Sequence, residues 1–298
     1  MQVRYKVDLL GAEYHAIRKF LDVMSMITGL RKAWQRKRLI SLVYIIQLAL
    51  ALTIGLQVYQ VFEASIGNSL ALEGLRSGYA HTVINDLLNI HGASLSPLLG
   101  QVRWMVLLYM VVSVFLGAGI WYKITRDTEA NFWLGASRYF MRFLMVSVLL
   151  AIAFIILSAL IWGPYLSNVQ YWMEYWSSEE WILWLGIIAA IVWFLLAAYL
   201  FVCSCLAKKS LVLEERSVMK SLAYGCRRGT KTYLRLLPGL LIFAGCIALV
   251  YILVACINEM TVISSALSIF LAFLLQQAAV WLKIWLRIGA FEYVKNSA

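Results

Sequence analysis

The chain carries no charge along almost half of its length. Six long apolar runs contain no Asp, Glu, Lys, Arg or His: Leu39–Phe62, Trp104–Tyr122, Phe143–Trp162, Trp181–Ala207, Leu236–Ile257 and Met260–Leu282. Only 14% of the 298 residues are charged, against about 25% in a soluble domain, and 63% are hydrophobic. Each run reaches the roughly 20 residues that a helix needs to cross a hydrocarbon core about 30 Å thick. Proton- and sodium-coupled pumps keep carboxylates inside the membrane despite a cost of at least about 2.5–3.5 kcal/mol each. The charge-free runs therefore argue against that mechanism.

Other scarcities exclude further classes. Three Pro in the whole chain leave little room for linkers. One membrane domain over residues 39–287 is expected, between a cytoplasmic N-terminal segment (1–38) and a cytoplasmic tail (288–298). The five Cys (Cys203, Cys205, Cys226, Cys246 and Cys256) fall in spans or on the basic side, so no disulfide framework is implied. Cys203-Ser-Cys205 lacks a His or a second pair at ligand spacing and reads as small core residues rather than a metal site. The first 30 residues hold Asp8, Glu13 and Asp22 and no clean apolar core, so the first span is expected to serve as its own insertion signal.

Chemistry is equally sparse. His81 and His91 flank Asp86, but ten residues place the two rings about 80° apart and nearly three turns apart on a helix, poor for one metal. No nucleophile–base constellation, phosphate loop or glycine fingerprint appears. No enzyme activity, metal or cofactor is expected.

What is present is positive charge, and it is one-sided. Of 26 Lys and Arg, 24 fall on one side of the six-span topology with 8 Asp and Glu; the other side holds 2 and 7. The Lys/Arg bias of connecting loops predicts cytoplasmic N and C termini. The net charge of +11 then reflects topology and not nucleic-acid binding. Trp162, Tyr165, Tyr171, Trp172, Tyr175, Trp176, Trp181 and Trp184 crowd the opposite boundary, where half-apolar rings favour the headgroup level.

The basic segments resemble one another. Each odd-numbered span follows a short stretch with a Gly and then basic residues: Gly29 to Arg38, Gly135 to Arg142 and Gly225 to Arg235. A basic residue stands three after the Gly each time, at Lys32, Arg138 and Arg228. The predicted fold is all-α, a polytopic bundle of six transmembrane helices in three parallel two-helix repeats, each preceded by an interfacial amphipathic helix. Common ancestry and convergent anchoring both produce such a pattern. In the first lead-in, Ile17, Phe20, Leu21, Met24 and Ile27 recur at helical spacing.

These segments assemble the candidate surface residues Arg31, Lys32, Arg36, Arg138, Arg142, Arg227, Arg228 and Lys231. Each Lys or Arg near an anionic leaflet adds about 1 kcal/mol of attraction. Their expected partners are the bilayer, its anionic headgroups, and another membrane or cytoplasmic protein; plain anchoring of the topology would use the same residues. Ser264, Ser268, Ala272 and Gln276, four apart in the sixth span, form a candidate helix-packing stripe. Pro238 is expected in the first turn of the fifth span, where a missing N–H costs little.

Three stretches carry a family resemblance: Gly78-Tyr-Ala-His-Thr-Val-Ile-Asn-Asp-Leu-Leu, Phe115-Leu-Gly-Ala-Gly-Ile120, and Phe132-Trp-Leu-Gly-Ala-Ser-Arg-Tyr-Phe-Met-Arg-Phe143. Together they resemble a broad group of bacterial six-span inner-membrane proteins, similar in plan to the membrane domain fused to some glycerophosphodiester phosphodiesterases. The resemblance implies a bacterial inner membrane. The acidic and His clusters of the phosphodiesterase domain are missing, so neither its activity nor any functional residue carries over. The expected role is a scaffold, accessory subunit or regulator acting through the basic face. The alternative is a facilitator for a lipid or small amphiphile.

Overall fold

The computed structural model describes residues 24–66, 92–126, 131–175, 179–260 and 266–297. Among the described residues there are seven helices and no strand: α1 (24–35), α2 (Lys37–Ile66), α3 (Gly92–Arg126), α4 (Phe132–Tyr175), α5 (Glu179–Leu213), α6 (Val218–Met260) and α7 (Ala266–Ser297). Helices α2 to α7 are each long and apolar enough to cross a bilayer, one for every predicted run. A helix satisfies its own backbone in hydrocarbon, which is why an apolar chain of this kind takes that form. The protein is an all-α, multi-pass membrane bundle.

Two of the helices far exceed the membrane. With 44 and 43 residues, α4 and α6 extend about 65 Å at 1.5 Å per residue, twice the hydrocarbon thickness. The second and third lead-in segments run unbroken into their spans, so they are not the separate interfacial helices expected. The physical reason is one continuous packing stripe: Gly135, Tyr139, Phe143 and Val146 are all buried along α4. Only the first lead-in stands apart as α1. There the chain tightens at Arg36, whose amide donates to the Ala33 carbonyl at 3.0 Å.

Two of the prolines, Pro164 and Pro238, differ from expectation. Pro238 lies deep inside α6 rather than in a first turn. Gly163-Pro164, expected in an outer connection, is crossed by α4, which continues to Tyr175. Proline removes one backbone donor and crowds the preceding turn, so a helix keeps it only with compensation. The carbonyl deprived of its helix donor by Pro164 is that of Leu160; in the turn after Pro164, its own carbonyl accepts from Asn168 Nδ2 at 2.8 Å. Next to Pro238, Gly239 leaves room for the Tyr293 ring, and the Tyr293 hydroxyl donates to the Arg235 carbonyl at 3.4 Å.

The chain divides into two compact units, Met1–Ile40 with Val114–Ala298, and Ser41–Ser113. In the second, the described surface is a run of exposed apolar side chains such as Ile45, Leu52, Leu56, Trp104 and Leu107, suited to lipid. In the first, α5 packs on α4 and α6, α6 on α7, with lighter α4–α6 and α5–α7 contacts. Its core gathers at the basic end, where Trp121, Tyr139, Leu206, Leu236, Ile288 and Tyr293 are fully buried. Lipid tails solvate apolar side chains as well as a core does, so helices inside the bilayer need bury little; the ends that leave it must. Residues 288–297, expected as a tail, are the closing turns of α7, and 288–294 belong to this core, with Ile288, Glu292 and Val294 fully buried.

Candidate functional site

The basic end of the first unit is built on the three glycines that the sequence pattern marks. Gly29, Gly135 and Gly225 are all buried. A Cβ on Gly29 would stand 3.0 Å from the Gly289 carbonyl oxygen and 3.2 Å from the Tyr293 amide nitrogen, on α7. A Cβ on Gly225 would stand 2.6 Å from the Cys203 carbonyl oxygen and 3.1 Å from the Ala207 amide nitrogen, on α5. The backbone registers correspond: a carbonyl at one position and the amide four residues later. Gly135 gives its space to the Tyr122 side chain at the end of α3.

Each lead-in segment thus packs on the basic end of the return helix of the unit before it, and the first closes on the last. Residues four and eleven after each Gly are buried too: Ala33, Tyr139 and Gly229, then Ile40, Val146 and Leu236. Such spacing keeps one face of a helix against its neighbour. The basic residues three after the Gly, Lys32, Arg138 and Arg228, are exposed in every unit.

Long cations tie the helix ends together. The last carbonyls of a helix have no intrahelical donor and are natural acceptors for Lys and Arg. Lys295 Nζ donates to the Ile124 carbonyl at 2.7 Å, and Lys209 Nζ to the Lys295 carbonyl at 2.9 Å. Arg36 Nη1 donates to the Lys123 carbonyl at 2.8 Å, while its Nε lies 3.0 Å from Glu292 Oε1. Glu292 is fully buried, and neither of its oxygens has an aligned hydrogen bond among the described residues. Its compensation is chiefly the Coulombic attraction of Arg36.

A second carboxylate collects charge in the α5–α6 connection. Glu215 has a left-handed backbone (φ 49°), an uncommon conformation outside Gly and Asn that ends α5. Its Oε1 accepts from Arg126 Nη2 at 2.9 Å, Arg138 Nη2 at 3.2 Å and the Tyr139 hydroxyl at 3.1 Å. The Tyr139 hydrogen bond, with the Arg138 charge next, holds the Glu215 carboxyl below the ordinary glutamate range.

Beside these contacts lies a cavity of about 190 Å³ between α3, α5, α6 and α7. Trp121, Phe201, Leu240, Phe243 and Ile247 supply apolar wall, and Lys208 and Arg287 supply charge at its basic end. Cys205 also lines it, so one member of the Cys203-Ser-Cys205 pair faces this space, while Cys203 backs the Gly225 contact. All five Cys are free, and no group of His, Cys, Asp and Glu among the described residues could hold a metal.

The predicted surface residues divide. Arg31, Lys32, Arg138, Arg142, Arg227, Arg228 and Lys231 are exposed. Arg36 is not a surface residue: its side chain is 10% exposed and committed to Glu292. On α7, Ser268 and Ala272 are half-buried but Gln276 is exposed; the packed stripe shifts to Leu275 and Ala279, as a 3.6-residue period requires. Ser264, and the stretch containing His81, Asp86 and His91, lie outside the described residues. Sequence reasoning missed Glu292, Glu215, Lys208 and Arg287 as special. A lone carboxylate in the apolar setting of Glu292 was a usable signal; the others stand among many cations and had none. No protein-family model, curated protein or solved structure matches the chain.

Proposed function

We propose that the chain is a non-enzymatic, multi-pass protein of a bacterial inner membrane that acts as a scaffold, accessory subunit or regulator through its basic face. That face is cytoplasmic in this reading, following the Lys/Arg bias. One observation carries it. Seven of the eight candidate cations are exposed, and they stand on lead-in segments locked by glycine contacts, a rigid mount for diffuse positive charge. Anionic headgroups hold the face to the leaflet, and an acidic surface of a membrane or cytoplasmic protein is the partner that such charge recruits. The plan resembling the membrane domain of glycerophosphodiester phosphodiesterases suits an accessory role.

Replacing Arg31, Lys32, Arg227 and Arg228 together by Glu tests this. A stoichiometric partner recovered with the wild-type protein in native pull-downs is expected to be lost with the variant. A monomeric wild-type protein that recovers no such partner overturns the reading. The cavity favours a second reading, facilitated passage of an amphiphile, which a proteoliposome flux assay addresses.

A further inference from the structure

We propose that Cys203 and Cys226 form a redox-active thiol pair, which a hydroperoxide converts to a disulfide that staples α5 to the lead-in segment of α6. The pair lies at the Gly225 contact, and it stands or falls separately from partner docking.

Helix approach is the first argument. A disulfide needs Cβ atoms about 3.5–4.5 Å apart, closer than most packed helices bring them. At this joint the glycines allow it. A Cβ on Gly225 would stand 2.6 Å from the Cys203 carbonyl oxygen, and one on Gly229 would stand 2.9 Å from Cys203 Sγ. Cys226 lies between these two glycines on α6, so its backbone runs alongside Cys203. One turn before Cys203, the Tyr199 hydroxyl donates to the Cys226 carbonyl at 3.3 Å. The Cys226 thiol is near enough to act on the Cys203 thiol. The first joint supplies a scale. There Gly29 meets α7 in the register in which Gly225 meets α5, so Gly289 takes the place of Cys203 and Leu30 that of Cys226. A Cβ on Gly289 would stand 3.7 Å from the Leu30 Cα, a spacing that a disulfide can bridge. Leu30 and Gly289 carry no sulfur, so the first joint has no such option.

Exposure sets the order of events. Both thiols are free, Cys203 buried and Cys226 half-buried, so the oxidant meets Cys226 first. With hydrogen peroxide, the Cys226 sulfur takes one oxygen as the O–O bond breaks, giving a sulfenic acid and one water. The Cys203 sulfur then attacks the oxidised sulfur. Its proton leaves with the sulfenic hydroxyl as a second water, and the S–S bond forms. The thiol pair loses two electrons, and the peroxide gains them. A dithiol reductant reverses the bond by exchange. Pairs of this kind in a reducing compartment are transient and sense oxidants rather than hold a fold together. The bond fixes the mount of Arg227 and Lys231, two exposed cations just beyond Cys226.

Peptide mapping of the full-length protein in detergent, after hydrogen peroxide and without reductant, tests this. A peptide joining Cys203 to Cys226, lighter by two hydrogens than its parts, is expected, and dithiothreitol removes it. Cys203→Ser loses the link, and dimedone, which captures sulfenic acids, then labels Cys226. Cys226→Ser also loses the link; this change at a half-buried residue covers a Cys203→Ser variant that fails to fold. Cys205→Ser keeps it, because Cys205 faces the cavity. Peroxide-treated, folded wild-type protein without the link overturns the proposal. So does a link from Cys226 to Cys205 in its place.

Discussion

Arg36 Nε stands 3.0 Å from Glu292 Oε1, an ion pair between the first lead-in segment and the closing turns of the last helix. The two residues lie near opposite ends of the chain. A fully buried carboxylate is costly without a partner, so this contact makes the closure of the bundle selective: only the joint that brings Arg36 to α7 neutralises Glu292.

Removing one member of a buried pair leaves an uncompensated charge and costs about 3–5 kcal/mol, whereas replacing both by apolar groups is often close to neutral. Arg36→Met is therefore expected to unfold at markedly lower temperature than wild type in detergent. Arg36→Met with Glu292→Leu should recover most of the loss. Tryptophan fluorescence on heating reads both, and equal loss in the single and double variants would count against the pairing.

The glycine contacts predict position-specific intolerance. Gly225→Ala places a methyl group against the Cys203 carbonyl and should cost about 1–3 kcal/mol through overpacking. Gly245→Ala meets nothing within 4 Å and should be neutral or stabilising by up to about 1 kcal/mol through helix propensity. The thermal midpoint should fall for Gly225→Ala and hold or rise for Gly245→Ala.

Glu215 gives a pH signature. Its carboxyl is held below the ordinary range by Tyr139 and Arg138, so its stabilisation is complete above the unfolded value of about 4.3 and is lost as pH falls through the lower folded value. Wild-type protein should melt above Glu215→Gln at pH 7. The gap should close as pH falls through and below 4, and a gap that stays constant to pH 3 would refute the assignment.

Trp193 Nε1 donates to Ser158 Oγ at 2.9 Å, joining α4 and α5 within their apolar stretches. Interhelical hydrogen bonds in membranes average about 0.6 kcal/mol. Ser158→Ala should accordingly shift the thermal midpoint only slightly. A large destabilisation would mean that the apolar halves of these helices depend on polar contacts.

The proposed orientation is open to direct test. Reporter fusions after Thr128 or Ser217 should report a cytoplasmic location, and fusions after Ser69 or Ser167 the opposite side. A cytoplasmic signal from Ser167 would break the scheme.

Much of the architecture was legible because membrane insertion is decided locally. The free energy of placing a segment in hydrocarbon adds up residue by residue along the run, so six charge-free runs announced six helices. Helix ends were less legible. Nothing in Gly135–Arg142 stops a helix, and continuation into the span depends on the stripe that Phe143 and Val146 share with Gly135. Pro164 stands just beyond the third charge-free run, yet α4 crosses it and continues to Tyr175.

By itself, the sequence determined that this is a helical membrane protein, that six of its helices are apolar enough to cross, and that its positive charge is one-sided across those six runs. All three follow from composition over windows of about 20 residues. Tertiary structure alone decided that Arg36 turns inward to Glu292, that residues 288–294 are core, and that Lys208 and Arg287 share one cavity. Those facts depend on which helix faces meet, and residues far apart in the chain carry no local mark of their partners. The three glycines lie between the two cases. Their spacing before each span was visible in the chain, but only the packed helices showed that each lets a lead-in segment reach the backbone or ring of the preceding unit.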